Sequence, residues 1–149
     1  MTRVGIIGLG HIASSYGGAD THVGGILESD KVELTAVADI TQEAHDTFME
    51  QWGDKFPDTK HYSDYADMFA AEELDIVAVC TRGPHHYTAM MDVIKAAPKA
   101  IFLEKPATCS LEEMDAVVDA AKAADIPITV SYSRHWGPHV LRMAELIKD

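Results

Sequence analysis

Short, unbroken apolar runs recur along the chain at residues 4–7, 32–38, 76–80, 100–103 and 126–130. Runs that are continuous rather than alternating suit strands covered on both faces, as in a parallel sheet. A shorter strand is predicted at 59–62. Longer stretches with helical spacing lie between the runs. Leu111, Met114, Val117, Val118 and Ala121 trace one helical face, and Ser110 with Glu113 reads as a capping box in front of it. Ala89, Met90, Val93, Ile94 and Ala97 trace another face, which Pro98 ends. Helices are also predicted over 41–52, 63–71 and 138–147, the last with Val140, Leu141, Ala144 and Ile147 on one side. Strand and helix alternate six times. That order predicts an α/β domain with a doubly wound parallel sheet between two helical layers, each crossover right-handed. One segment departs from the pattern. Residues 14–25 hold four glycines inside what should be the first helix, so a break is expected near Gly17 and Gly18.

Length and charge narrow the picture. A chain of 149 residues is one domain's worth and can bury a core without staples. No run approaches the ~18 apolar residues of a membrane span. The start, Met1-Thr2-Arg3 followed by a short apolar run broken at Gly8 and Gly10, does not read as a signal peptide. Twenty-four acidic residues against 12 basic ones leave a net charge of −12. Such a surface repels phosphate backbones, so neither nucleic acid nor an anionic membrane is expected as a partner. Cys80 and Cys109 form no CxxC pair and read as two buried free thiols of a reducing cytoplasm.

Candidate chemistry begins directly after the first strand. Gly8-Leu9-Gly10-His11-Ile12-Ala13 is a GxGxxA turn between a strand and a helix. Gly8 permits the tight turn, Gly10 lets the backbone approach a pyrophosphate, and Ala13 allows the helix to pack closely on the strand. The helix N-terminus, with His11 and Ile12, offers free N–H groups to phosphates. The competing reading is a glycine turn that binds nothing. The second strand ends at Asp39, whose carboxylate can accept hydrogen bonds from an adenosine ribose and would repel a 2′-phosphate. Ile40 and Thr41 bring no compensating cation, which favours NAD over NADP. Alternatively, Asp39 merely caps the next helix. It lies 31 residues after Gly8, against the usual ~20; the glycine-rich segment absorbs the surplus.

Ligands of such sheets bind outside the C-terminal ends of the strands. Three further tips carry polar residues: Thr81-Arg82-Gly83-Pro84-His85-His86, Glu104-Lys105-Pro106, and Ser131 to Trp136. Taken with the glycine turn and Asp39, these tips resemble the Gfo/Idh/MocA oxidoreductases along the whole chain, Glu104-Lys105-Pro106 being the most specific match. The resemblance implies a Rossmann domain followed by an α/β substrate domain, and NAD(P)-dependent hydride transfer to or from sugars, cyclitols and related hydroxy compounds. It implies that Lys105 faces the substrate hydroxyl and that Glu104 and Pro106 shape the turn. It also implies that Thr81, His86, Glu104 and Arg134 contact the cofactor, His86 and Arg134 from the nicotinamide side of the cleft. Two details depart from the family pattern. Thr81-Arg82-Gly83 stands where Thr-Pro-Asn is frequent, and His135 replaces a second basic residue.

On physical grounds alone, a lysine at such a tip can donate to, or help deprotonate, a carbinol oxygen. The alternative is that Lys105 simply pairs with Glu104 or another carboxylate. His135 and His139 lie at i, i+4, but no third ligand is evident and no metal site is expected. The chain ends where the family's substrate domain should begin, so that domain is expected to be absent from it. The expected function is then the NAD-binding half of a dehydrogenase acting on a small sugar or cyclitol, inactive alone. A stand-alone NAD-binding module or sensor is the alternative. The apolar face of the last segment predicts self-association, hence a homo-oligomer.

Overall fold

A computed structural model describes residues 1–15, 18 and 20–148. Six strands form one parallel sheet: β1 (Thr2–Ile7), β2 (Val32–Ala38), β3 (Lys60–Tyr62), β4 (Ile76–Val79), β5 (Ala100–Leu103) and β6 (Ile128–Val130). Their order across the sheet is β3-β2-β1-β4-β5-β6. All five pairings are parallel. The direction of winding reverses between β1 and β4, and that crevice is where doubly wound sheets take ligands.

Helices cover both faces because both faces of the strands are apolar. α1 (His22–Leu27) and α2 (Gln42–Trp52) lie on one side. There Ile6, Leu9, Val23, Val37, Phe48 and Trp52 form one core. α3 (Tyr65–Ala71), α4 (His86–Ala96) and α5 (Leu111–Ala124) cover the other. Its core includes Met68, Val79, Met90, Val93, Leu103 and Val117. The last helix, α6 (Pro138–Lys148), leaves the body of the domain with Leu141, Met143, Leu146 and Ile147 exposed.

Element ends follow local chemistry. Asp64 caps α3, its carboxylate accepting from Ala66 N–H at 2.8 Å, so the helix starts two residues inside its predicted bound. Ser110 caps α5 by accepting from Glu113 N–H at 3.2 Å. The returning Glu113 carboxylate takes Cys109 N–H at 2.9 Å, one residue ahead of the usual capping-box donor. β6 starts two residues later than its apolar run, because Ile126 N–H is bound to Ala121 O at the end of α5.

The main difference from the sequence pattern is the first helix. Only a five-residue π-turn, His11–Ser15, follows the glycines, and α1 restarts at His22 behind the cap Thr21. Gly18 has φ 72°, consistent with the expected break; Gly17 lies outside the described residues. Of the two free cysteines Cys80 is buried, but Cys109 is exposed in the turn ahead of α5, contrary to the sequence reading. Among the described residues, no helix is long and apolar enough to cross a membrane.

Candidate functional site

The glycine turn is built against the tip of β4. Gly8 has φ +88°, and a Cβ there would stand 2.9 Å from Cys80 C and O and from Thr81 N. Only glycine fits this approach. At Gly10 a Cβ would meet nothing within 4 Å. The space over Gly10 is open to a ligand. Gly10 O accepts from Ala13 N–H at 3.1 Å and from Ser14 N–H at 3.1 Å. Ser14 N–H makes the ordinary first-turn bond, while Ala13 N–H is a donor that a regular helix would have left free, and His11 and Ile12 hold the remaining forward positions.

Asp39 crosses to the same turn. Its Oδ2 accepts from Leu9 N–H at 2.8 Å, while Oδ1 accepts from Thr41 N–H and Thr41 O–H, both at 2.9 Å. Thr41 is the N-cap residue of α2, and the Asp39 carboxylate takes the Thr41 N–H just ahead of that helix while also reaching the glycine turn. With a single donor on Oδ2, the carboxylate keeps acceptor capacity there for a further hydroxyl.

The tips of β4 and β5 are clasped together by His86. Its Nδ1 reaches Pro106 O and its Nε2 reaches Thr81 O, each at 2.7 Å, and the residue is fully buried. His86 thus supports the loops below the cleft, with both ring nitrogens engaged by main chain. The hydroxyl of Thr81 is buried without a partner. A buried hydroxyl lacking a hydrogen bond is a costly feature unless something else supplies the bond.

Glu104 is 4% exposed. Its Oε1 meets His22 Nε2 at 2.9 Å and its Oε2 accepts from Lys105 N–H at 3.2 Å. Burial pushes its carboxyl upward. Hydrogen bonds from His22 and Ser131, the His22 charge and the Lys105 N–H outweigh that, so it titrates below the ordinary glutamate value. Glu104 is thus committed to His22 and to its own turn, and the Glu104–Lys105 pair does not form. Lys105 is exposed and makes no ion pair among the described residues. Arg134 is also exposed, in the turn Ser133–Trp136 beyond β6. A cleft of about 440 Å³ lies beside α1, lined by His22, Ile26, Ser29, Val32, Glu104 and Ser131 among others.

The turn, Asp39, Thr81, His86, Glu104, Lys105 and Arg134 therefore gather at the C-terminal end of the sheet. Three features fit a dinucleotide: the Gly8 cradle, the open space over Gly10 and the unpartnered Thr81 hydroxyl. Two histidine contacts had no signal in the sequence. His22 joins Glu104 across 82 positions, and His45 joins His61 across 16. A buried glutamate does demand a partner, but nothing in its spacing points to His22. Among the described residues, no group of three or more His, Cys, Asp or Glu is gathered to hold a metal.

A family model described as "Oxidoreductase family, NAD-binding Rossmann fold" (Gfo/Idh/MocA) matches residues 2–132. The chain belongs to this family. An inositol 2-dehydrogenase/D-chiro-inositol 3-dehydrogenase of Lactiplantibacillus plantarum is 28% identical over all of this chain and 40% of its own length. A scyllo-inositol 2-dehydrogenase (NADP(+)) of Bacillus subtilis is 24% identical over 99% of this chain and 37% of its own length. Among solved structures, the WlbA dehydrogenase from Bordetella pertussis in complex with NADH and UDP-GlcNAcA superposes with a TM-score of 0.82. It is 22% identical, over 98% of this chain and 41% of that one, and so speaks to the fold alone. This Gfo/Idh/MocA chain thus spans about 40% of the length of the curated relatives it matches.

Proposed function

We propose that this Gfo/Idh/MocA chain is the dinucleotide-binding part of an NAD-dependent dehydrogenase or reductase, acting on a sugar, cyclitol or related hydroxy compound. The observation that carries the reading is the coupling of Asp39 to the glycine turn through Leu9 N–H. It sets a ribose acceptor beside the pyrophosphate position, as dinucleotide recognition requires. NAD, when bound, supplies the hydride acceptor or donor. Gly8, Gly10, His11 and Ile12 would surround its phosphates, and Thr81 and Arg134 would lie toward its other end. Glu104 and His86 hold the turn that carries Lys105. Lys105 Nζ would donate to the substrate oxygen or take its proton during hydride transfer. The rest of the substrate pocket would come from a second α/β domain of the kind the family carries, in a cytoplasmic, homo-oligomeric enzyme.

The 149-residue chain should fold, bind NAD and show no dehydrogenase turnover. Six paired strands and both apolar clusters lie within the described residues. Hydride transfer, however, needs the substrate held in near-attack geometry, which can account for ~7–11 kcal/mol of the barrier. Calorimetry with NAD, and turnover assays with a panel of sugars and cyclitols, test this. Robust turnover by this chain alone would contradict the division of labour proposed, and failure to bind NAD would contradict the reading as a whole.

NAD should bind more tightly than NADP. The Asp39 carboxylate would repel a 2′-phosphate, and the next residue, Ile40, is 89% exposed and carries no charge. Asp39→Ala should narrow the difference by about tenfold, the size of one charge-assisted hydrogen bond. Tighter binding of NADP by the native chain in the same titration would refute the assignment.

A further inference from the structure

Beside Asp39 lies a pair of histidines that the proposed chemistry does not use. His45, on α2, is 7% exposed. Its Nε2 stands 2.9 Å from Asp39 O, and its Nδ1 stands 2.9 Å from Nδ1 of His61 on β3. The rings sit 5.1 Å apart, and Phe48 packs edge-on against His61 at 5.1 Å.

The partners decide where the protons are. Asp39 O is a carbonyl and only accepts, so Nε2 of His45 carries the hydrogen. In a neutral His45 ring, Nδ1 is then a lone pair. It must accept from His61, so His61 carries its hydrogen on Nδ1. That leaves Nε2 of His61 unprotonated, and this atom is buried with no partner. Only one neutral arrangement satisfies both bonds.

We propose that His45 and His61 form a proton-sharing pair that positions Asp39 for the dinucleotide and weakens dinucleotide binding when it takes up further protons. The inference rests on the NAD reading above. The main chain of Asp39 is held from both sides: its N–H donates to Tyr62 O at 3.1 Å, and its carbonyl takes the His45 hydrogen. From this fixed backbone the carboxylate meets Leu9 N–H. When both rings are cations, each Nδ1 carries a hydrogen, and the contact becomes donor against donor between two positive charges. The rings then separate and His45 leaves Asp39 O.

Charges around the pair do little to rescue it. The carboxylates nearby are Asp39 itself and Asp46 on α2. Asp39 is committed to Leu9 and Thr41, and Asp46 accepts from Gln42 at 2.9 Å. The Tyr62 hydroxyl on β3 is bound to Glu72 at 2.8 Å. Among the described residues, no carboxylate oxygen bonds either ring. Burial first, and the neighbouring His45 second, hold the His61 pKa below the ordinary histidine value. Both causes oppose a charge on His61, so a second positive charge enters the pair only as the solution becomes acidic. The bonded state holds fewer protons, so NAD affinity is full at neutral pH and falls as pH drops below the histidine range.

The test needs no variant to begin. Nitrogen–proton spectra of the histidine rings in the unmodified chain should show His45 protonated at Nε2 and His61 at Nδ1. Titration with NAD between about pH 5 and 8 should show affinity about fivefold weaker at the acid end. His61→Phe keeps an aromatic ring beside Phe48 and removes both nitrogens. It should flatten the profile, since a lone His45 keeps its Nε2 hydrogen whether or not it is charged. His61 protonated at Nε2 at neutral pH overturns the pair, and NAD binding with a flat profile in the unmodified chain overturns its role. Absence of NAD binding at every pH overturns the dinucleotide reading and this inference with it.

Discussion

Lys105→Ala, in the full-length enzyme proposed above, should lower turnover about 10²–10⁴-fold while leaving NAD affinity nearly unchanged. That is the range contributed by a positioned proton-transfer group. The structure separates the two effects. The backbone of Lys105 is fixed: Glu104 N–H is bound to Val79 O at 2.9 Å, Lys105 N–H to the Glu104 carboxylate, and Pro106 O to His86. Its ammonium, by contrast, has no ion-pair partner among the described residues and is exposed. Truncation to alanine removes the reacting end and disturbs none of these bonds. The groups expected to hold the phosphates and ribose lie elsewhere, at Gly8, Gly10 and Asp39. Steady-state kinetics beside a cofactor titration would read both quantities. Near-native turnover would make Lys105 an ordinary surface lysine.

The strands and most helices were legible because each carries a local signal strong enough to act alone. Strands buried on both faces need continuous apolar runs, and helices need capping residues and one apolar stripe. β5 occupies the four residues of its apolar run, 100–103, and α2 begins one residue inside its predicted start because Thr41 is its cap. The first helix was less legible. A glycine-rich segment signals that a helix breaks but not where it resumes. Here resumption depends on Thr21, whose hydroxyl accepts from Gly24 N–H at 3.0 Å. Strand tips could be found for the same reason as strands. Contacts made across the sheet could not. His22–Glu104, His45–His61 and His86 with its two carbonyls all join residues whose proximity is created by packing. None leaves a spacing in the chain.

His86 and Glu104 illustrate how that limits functional reading. By sequence both belong to the cleft, at the tips of neighbouring strands. In the structure both are buried: His86 spends its ring nitrogens on the loops that carry Thr81 and Pro106, and Glu104 spends its oxygens on His22 of α1 and on Lys105 N–H. A polar residue at a strand tip can face the ligand or brace the loop that does. Burial decides between these roles, and burial is a tertiary property. Lys105 and Arg134, exposed at the same end, retain the freedom that direct contact requires.

Gly8→Ala and Gly10→Ala should fail in opposite ways. At Gly8 the φ of +88° disfavours any side chain, at about 1–3 kcal/mol. The new Cβ would also press on backbone atoms of Cys80 and Thr81 at 2.9 Å, and these cannot swing aside as a side chain could. Overpacking of this kind adds ~1–3 kcal/mol. Against a total stability of about 5–15 kcal/mol, that is a large fraction. Its Tm should fall on the order of 10 °C. Gly10 has no positive φ, and no atom lies within 4 Å of the place an added methyl would take, so alanine there should leave Tm almost unchanged. The same methyl, however, occupies the space through which a pyrophosphate would approach the backbone. NAD affinity should therefore drop sharply in Gly10→Ala while the fold persists. Thermal unfolding and NAD titration of the two variants, run side by side, separate structure from binding. A stable Gly8→Ala would show that β1 can move away from β4 at this point. A Gly10→Ala that bound NAD normally would place the phosphates somewhere other than over this turn.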